Sequence, residues 1–585
     1  MPPGNYSGNT SGNWEFDQAG TYTITGSGLT VSNNTILTIG KVGVAVNLLI
    51  QNDATLTVGF VGRLNVSSPA SFQIQEYGGT GTPQGITVNG TMAVTSAAFA
   101  FSGGQGGDTS YIQVNSGGHL TAVNSTFGWD QVVLAYGSIL NAGDLTGNGF
   151  DATALYVPAN FVPLVANNPR FGNVFLTANP SLPTLNLGPL GTLATQTYVL
   201  AGALTVQQGT TVNVGEGANI LMLNDATLTV NGTLNVSSPA RFEIQEYGGN
   251  GTPQGITVNG TMAVTSAAFA FSGGQGGDTS YIQVNSGGRL DNSGGNFGWD
   301  RLAVGAGAIA NIRYLSISST SQLQIDSTAT TNLHFNDFSS MAAQSIVANP
   351  ATGHPNDHIN LTNNYWGTSS TATINGIILD HLDDSNRPTI DYLPLLATRP
   401  VGVVTVTANG GAFQRSRVTS VTIQFSVPVT FAGATAAAFR LSRIGGGVVG
   451  GFTAAASVVG GATVVTLSNF TGAETVGGSL ADGRYTITVL ASQVTATAGG
   501  QQLDGNDDGI AGGDYVLNGT AANGLFRYYG DFDGDGDVDG SDLVAFVPTL
   551  FNAGNYNPTF DFDGDGDVDG TDLFKFVQNL FVPLP

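Results

Sequence analysis

Cysteine is absent from the 585 residues. Disulfide cross-links and thiolate chemistry are therefore excluded, though the compartment is not fixed by that alone. Basic residues are scarce: 16 lysines and arginines stand against 40 aspartates and glutamates, a formal net charge of -24. Such a surface repels phosphate backbones and anionic lipid, which argues against nucleic acid or membrane as a partner. Cations, neutral glycans and proteins are easier partners. No apolar run is long enough to cross a bilayer. The first residues have neither a basic start nor an apolar stretch, so no signal peptide is visible. Either the export signal is missing from this sequence or the protein is not exported by that route; the domain content below favours the first.

Helical periodicity is also nearly absent up to about Thr398. What stands there instead is short runs of Val, Ile, Leu, Thr and Phe interrupted by Gly, Asn and Ser, as in Gly28–Ile39 and Ala203–Val214. That alternation is the pattern of strands. Hydrophobic residues make up 41%, enough for packed cores, and the length implies several domains. One large unit is duplicated: Leu64–Leu120 and Leu234–Leu290 align without gaps over 57 residues with four differences, Ser71/Arg241, Gln73/Glu243, Thr80/Asn250 and His119/Arg289. A finer repeat runs inside each copy. Asparagine-centred turns at Asn89, Asn115, Asn231, Asn259 and Asn285 recur at intervals of 26 or 28 residues within a copy. A period of this size suits the rungs of a solenoid. Asn-Gly between apolar runs also marks two-residue hairpins, so an antiparallel sandwich competes.

The end of the chain carries a second duplication. Asp531–Phe551 and Asp561–Phe581 agree at 16 of 21 positions. Acidic residues fall at loop positions 1, 3, 5, 9 and 12: Asp531, Asp533, Asp535, Asp539 and Asp542, then Asp561, Asp563, Asp565, Asp569 and Asp572. Gly536 and Gly566 stand at position 6. That is the spacing of a twelve-residue calcium loop, in which a hard cation gathers six to eight oxygens around a sharp turn. Two carboxylates about 4 Å apart repel by roughly 4 kcal/mol at an effective dielectric near 20, so the pattern calls for a cation.

Three resemblances follow from quoted stretches. Thr21–Gly26 with Leu29–Val31 and Leu37–Ile39 returns as Thr197–Gly202, Leu204–Val206 and Val212–Val214. With the closing stretch Asn363–Thr368, Ile374–Asp384 and Ile390–Pro394, it resembles the right-handed parallel β-helix proteins of the pectate-lyase-like class. The resemblance implies a mainly β fold over residues 1–398, with copies at about 17–180 and 193–370. Ile374, Ile377, Ile378 and Leu382 fall on one helical face, which predicts a short cap over the last rung. Residues 400–520 look like bacterial Ig-like β-sandwich modules of surface proteins, with strands expected in Val418–Phe431 and Arg484–Leu490. Asp504, Asn506, Asp508 and Asp514 could supply oxygens to a third, irregular calcium site; a polar turn-rich loop is the equal alternative. Residues 528–585 resemble a type I dockerin, a small α-helical module of two calcium loops each followed by a helix. Dockerins attach secreted enzymes to scaffolds through cohesin domains. The resemblance adds Asp537 and Asp567 as backbone-carbonyl ligands. Two departures stand out. Pro548 should break the first helix, and the cohesin-reading positions are Gly540–Ser541 and Gly570–Thr571.

Members of the pectate-lyase-like class use carboxylates with an Arg or Lys base. The recurring candidates are Glu76, Asp108 and Asp130 and their copies Glu246, Asp278 and Asp300, with Arg289 and Arg301 near the second set and His119 and Gln131 near the first. Polar residues at rung corners account for the same positions. His354 and His358 flank Pro355, which argues against a helical metal pair. Trp129, Trp299, Tyr111 and Tyr281 could stack on sugars or simply fill the core. The expectation is a secreted or cell-surface protein with calcium-dependent, dockerin-like attachment to a cohesin-like or other surface protein. Its β-helix is expected to be structural, adhesive or polysaccharide-contacting. The alternative is a dockerin-borne polysaccharide lyase or glycoside hydrolase.

Overall fold

The computed structural model describes residues 1–51, 53–67, 69–75, 82–102, 109–215, 217–237, 240–245, 252–272, 279–350, 356–521 and 523–584. The fold is mainly β, with 46% strand and 9% helix. Its dominant element is a parallel β-solenoid of about 13 turns, wound as a right-handed β-helix. By contact density the chain divides into two compact units. One comprises Met1–Leu234 with Arg241–Thr257 and Phe271–Thr279; the other holds Asn235–Ala240, Val258–Ala270 and Ser280–Pro585.

In the first unit each turn contributes up to three strands. Thr91–Thr95, Ala97–Phe101 and Ser110–Val114 make one turn, and His119–Val123, Thr126–Phe127 and Gln131–Leu134 the next. Corresponding strands pair in parallel and in register: Leu64 with Met92, Met92 with Leu120, Ile86 with Ile112, Ile112 with Val132. The alternation read from the sequence becomes an inward column of like side chains, and all of these residues are fully buried. Aromatic residues stack in a column of their own, Phe72 on Phe99 at 4.6 Å, Phe99 on Phe127 at 4.9 Å and Phe127 on Phe150 at 4.9 Å. The competing hairpin reading of Asn-Gly therefore fails. Asn115 Nδ2 donates to Asn89 Oδ1 at 2.8 Å, so the asparagines stack from rung to rung. Gly90 lies so close to the rung below that a Cβ would sit 2.2 Å from the Gly59 carbonyl oxygen.

The second unit begins with the same coil. Thr261–Thr265, Arg289–Ser293, Ile309–Arg313 and Thr330–His334 form one parallel ladder. Near its end stands the helix Thr371–Ile377, capped by Ser370, whose side chain accepts from Thr373 N. The helix is shorter than the apolar spacing predicts. Ile378 is extended and pairs with Ile346, and Leu382 is 73% exposed. Ladder pairing outcompetes another helical turn there.

From Val403 to Asn518 the pairing becomes antiparallel. Val403–Ala408, Ser420–Phe425, Ala462–Thr471 and Gly451–Val459 make one sheet; Phe439–Arg443, Gly483–Val489 and Tyr515–Asn518 make another. Val421, Ile423, Leu441, Leu467, Tyr485 and Ile487 belong to one shared core. This strand module sits against the coil of its own unit. Ser293 Oγ donates to Val404 O at 3.0 Å, Gln424 Nε2 to Ser266 Oγ at 2.9 Å, and Asp507 takes both Arg313 and the Tyr314 hydroxyl. Gly294 leaves room for this contact, since a Cβ there would meet Val404 Cγ1 at 2.2 Å.

The chain ends in two short helices, Gly540–Phe546 and Gly570–Asn579. They pack through Phe546 on Phe576 at 4.3 Å, over a core with Tyr529, Val538, Phe560 and Val568. Pro548 stands where the first helix gives way to a 3-10 turn, Val547–Thr549. No helix among the described residues is long and apolar enough to cross a membrane.

Candidate metal centre

The two Asp-rich loops fold alike. Gly536 and Gly566 take φ of +96° and +99°, the left-handed region that lets the loop turn back on itself. Carboxylate oxygens of Asp531, Asp533 and Asp535 lie within 4.8 Å of one another, as do those of Asp537, Asp539 and Asp542. In the second loop Asp561, Asp563 and Asp572 converge, and so do Asp567, Asp569 and Asp572. Asp565 belongs to neither group; its Oδ1 accepts from Asp567 N at 3.3 Å.

Hydrogen bonds fix the first and last carboxylate of each loop. Asp531 accepts Gly534 N at 2.6 Å and Gly536 N at 3.1 Å, and Asp561 accepts Gly564 N and Gly566 N at the same distances. Asp542 accepts Phe532 N at 2.7 Å, and Asp572 accepts Phe562 N at 2.6 Å. Positions 9 and 12 also cap the helices. Asp539 accepts Ser541 N while Asp542 accepts Asp539 N, a reciprocal capping box repeated by Asp569 and Asp572. The Asp-x-x-Asp spacing before each apolar run is its visible signal.

Asp531, Asp542, Asp561 and Asp572 are each at most 2% exposed. Burial pushes the Asp531 carboxyl up to about 8, with the Asp542 charge adding to it. Burial, with the Asp535 charge, pushes Asp533 up to about 7, and burial raises Asp542 to about 6. Asp537, Asp567 and Asp572 are raised too, chiefly by desolvation. Like charges gathered around buried carboxylates at positions 1 and 12 are relieved by protons or by a cation. An all-oxygen, all-carboxylate donor set around a glycine-supported turn fits a hard divalent ion such as Ca²⁺, not a soft metal.

The strand module braces this region. Asp482 receives Arg527 Nη1 at 2.7 Å, Lys575 Nζ at 3.3 Å, and Tyr529 N at 2.8 Å. Arg527 is 1% exposed and its guanidinium lies 5.3 Å from the ring centres of both Tyr529 and Phe562. Burial lowers its pKa, and likewise that of Arg415, to about 10 for the latter. Gly534 faces the Phe413 carbonyl oxygen, which a Cβ would approach to 1.9 Å. None of these partners was visible in the sequence, because each lies far along the chain.

Among the described residues the other candidates do not gather. Glu76, Asp108, Glu246, Asp278 and His354 lie outside the described residues. Asp130 Oδ2 accepts both Ser110 N and Ser110 Oγ at 2.8 Å, and Asp300 does the same with Ser280. Each aspartate thereby ties its turn to the neighbouring one. Arg289 pairs with Asp291 at 2.6 Å, His119 with Asp144 at 2.8 Å, and His358 with Asp391 at 2.9 Å. Arg301 stacks over Tyr281 at 5.8 Å. Trp129 and Trp299 are buried, their Nε1 donating to Ala100 O and Ala270 O at 3.0 Å. Gln131 and Tyr111 lie side by side in paired strands. In the loop at Asp504–Asp514, Asp504 accepts Asp508 N and Gly509 N, Asp507 reaches the coil, and Asp514 accepts Ala491 N. Those carboxylates do not form a shared cluster among the described residues.

Compared with known proteins, the chain matches no family model, no curated protein and no solved structure.

Proposed function

We propose that the C-terminal module is a calcium-loaded, dockerin-like attachment device, joined through an Ig-like spacer to a non-catalytic β-helix on a secreted or cell-surface protein. The observation that carries this reading is the pair of matched loops, each burying two carboxylates at positions 1 and 12. Calcium would be held by side chains of Asp531, Asp533, Asp535 and Asp542 and of Asp561, Asp563, Asp565 and Asp572, with the Asp537 and Asp567 carbonyls. Asp539 and Asp569 orient the helices that follow.

Attachment needs a surface as well as an ion. Val544, Val547 and Phe551 are 64%, 56% and 72% exposed, and thirty residues on Phe574, Val577 and Phe581 are 67%, 57% and 76% exposed. A repeated row of exposed apolar side chains supports docking to a protein partner, cohesin-like or another surface protein. The β-helix serves as a structural, adhesive or polysaccharide-contacting body. The hydrolase or lyase alternative is weakened because Asp130 and Asp300 are engaged in tying neighbouring turns together.

Calcium titration of the chelated full chain tests the reading. Binding of two ions should raise the thermal stability of the last module, and Asp531→Ala with Asp561→Ala should abolish the gain. An unchanged melt with calcium would sink it.

A further inference from the structure

The two loops agree in sequence but not in surroundings. Residues 415–417 of the strand module reach the start of both. Arg415 N and Ser416 N donate to Asp531 O at 2.8 Å, and Ser416 Oγ donates to Thr559 O at 2.8 Å. Arg417 Nη1 donates to Asp561 O at 2.8 Å and lies 3.6 Å from the Asp561 carboxylate oxygen Oδ2. Its other terminal nitrogen donates to Gly477 O, which anchors the guanidinium to the strand module. The same Oδ2 accepts the Tyr556 hydroxyl at 2.7 Å. Neither contact is reproduced at the first loop, although the buried Arg415 guanidinium feels the Asp531 charge from beyond contact distance. The residue in the place of Tyr556 is Phe526, which has no hydroxyl. The guanidinium of Arg415 is turned to the carbonyls of Ala412, Phe413, Gln414 and Gly524. Among the described residues no basic side chain lies within ion-pair distance of the Asp531 carboxylate.

We infer that Arg417 is a resident competitor that makes the second loop the weaker calcium site, so that the first loop fills first. The inference rests on the calcium reading above and adds an order to it. Asp561 is the position-1 ligand of its loop. A dication arriving there meets a guanidinium that is only 19% exposed, so water screens it poorly. The carboxylate is also already shared with a hydroxyl. Linkage is reciprocal: whatever Arg417 takes from calcium affinity, calcium takes from the contact of Arg417 with Asp561. The strand module thereby sets the calcium concentration at which the second half of the attachment module is completed.

The test is calorimetric titration of calcium into the full chain with one loop silenced at a time. Asp563→Asn with Asp565→Asn leaves the first loop; Asp533→Asn with Asp535→Asn leaves the second. The second loop alone should bind roughly tenfold more weakly than the first alone. Adding Arg417→Gln, which keeps a donor and removes the charge, should strengthen the second loop by roughly tenfold and alter the first by less than about twofold. Arg417→Lys should keep the second loop weak, and Tyr556→Phe should strengthen it by a smaller factor. Circular dichroism of each variant confirms that it is folded. Equal affinities of the two loops, or an Arg417→Gln chain whose second loop is unchanged or weakened, would overturn the inference. Failure of both single-loop chains to bind calcium would instead remove the calcium reading itself.

Discussion

Asp531 is buried and Asp533 half-buried beside other carboxylates, so on the calcium reading proposed above their protonation becomes a measurable part of binding. Their carboxyls are pushed up to about 8 and about 7. A raised carboxyl favours the folded state when protonated. In chelated protein its stabilisation is full below the unfolded value near 4 and is lost as pH rises through about 7 to 8. The chelated last module should therefore melt at a lower temperature at pH 9 than at pH 6. Calcium must displace the protons, so binding near pH 7 should release them. Titrations in buffers of different ionisation enthalpy would show it, and identical heats in all buffers would contradict it. Asp482 is the second residue-scale case. It neutralises Arg527, which is 1% exposed, so Asp482→Asn should cost about 3–5 kcal/mol in denaturant unfolding by leaving a buried charge uncompensated. A loss below about 1 kcal/mol would show that water reaches the guanidinium. The convergence of loop aspartates was legible because it is written as local spacing. Asp482, Ser416 and Arg417 were not, because their partners lie some 40 to 145 residues away and only the packed chain brings them there.

At the scale of elements, period was legible and pairing direction less so. Strand alternation and the 26- or 28-residue spacing of Asn89, Asn115, Asn231, Asn259 and Asn285 both pointed to rungs. The Asn-Gly dipeptide offered hairpins as a competing reading, which only the long regular period disfavoured, because the turn is coded by two residues while the parallel partner lies a whole rung away. Ile378 shows the same limit. Its helical spacing with Ile374 is real, but the waiting edge at Ile346 makes it a strand. Pro548 was read correctly because its effect needs no partner. Its counterpart in the second repeat is Gln578, inside a helix of 10 residues where the first has 7. Pro548→Gln restores an amide that can donate to the Val544 carbonyl. The first helix should lengthen by about one turn, and hydrogen exchange across 547–550 should slow. Unchanged exchange there would mean that the surrounding 3-10 turn, not proline, ends the helix.

At the scale of the molecule, the duplication makes a strong claim about the coil. In the first copy the strand Arg63–Val66 pairs with Ile36–Ile39 below it and with Thr91–Thr95 above it. Removing residues 64–233 joins Arg63 to Leu234 and recreates the same strand sequence, followed by a rung that differs only at the positions already named. Every inward side chain then meets the neighbour it meets now. The shortened chain should be soluble, β-rich by circular dichroism and unchanged in calcium binding. A deletion of residues 64–220 should aggregate, because it replaces the strand with one out of register and turns buried faces outward. Aggregation of the matched deletion would show that the two copies are not interchangeable.

That interchangeability reaches beyond one molecule. A coding sequence with two nearly identical stretches is prone to unequal exchange, and each exchange here adds or removes a complete set of turns. The stacked columns of Leu64, Met92 and Leu120 and of Phe72, Phe99 and Phe127 accept such a change without a new core. Close kin of this protein should therefore differ in length by whole copies of the unit, while the residues that follow the coil keep their number.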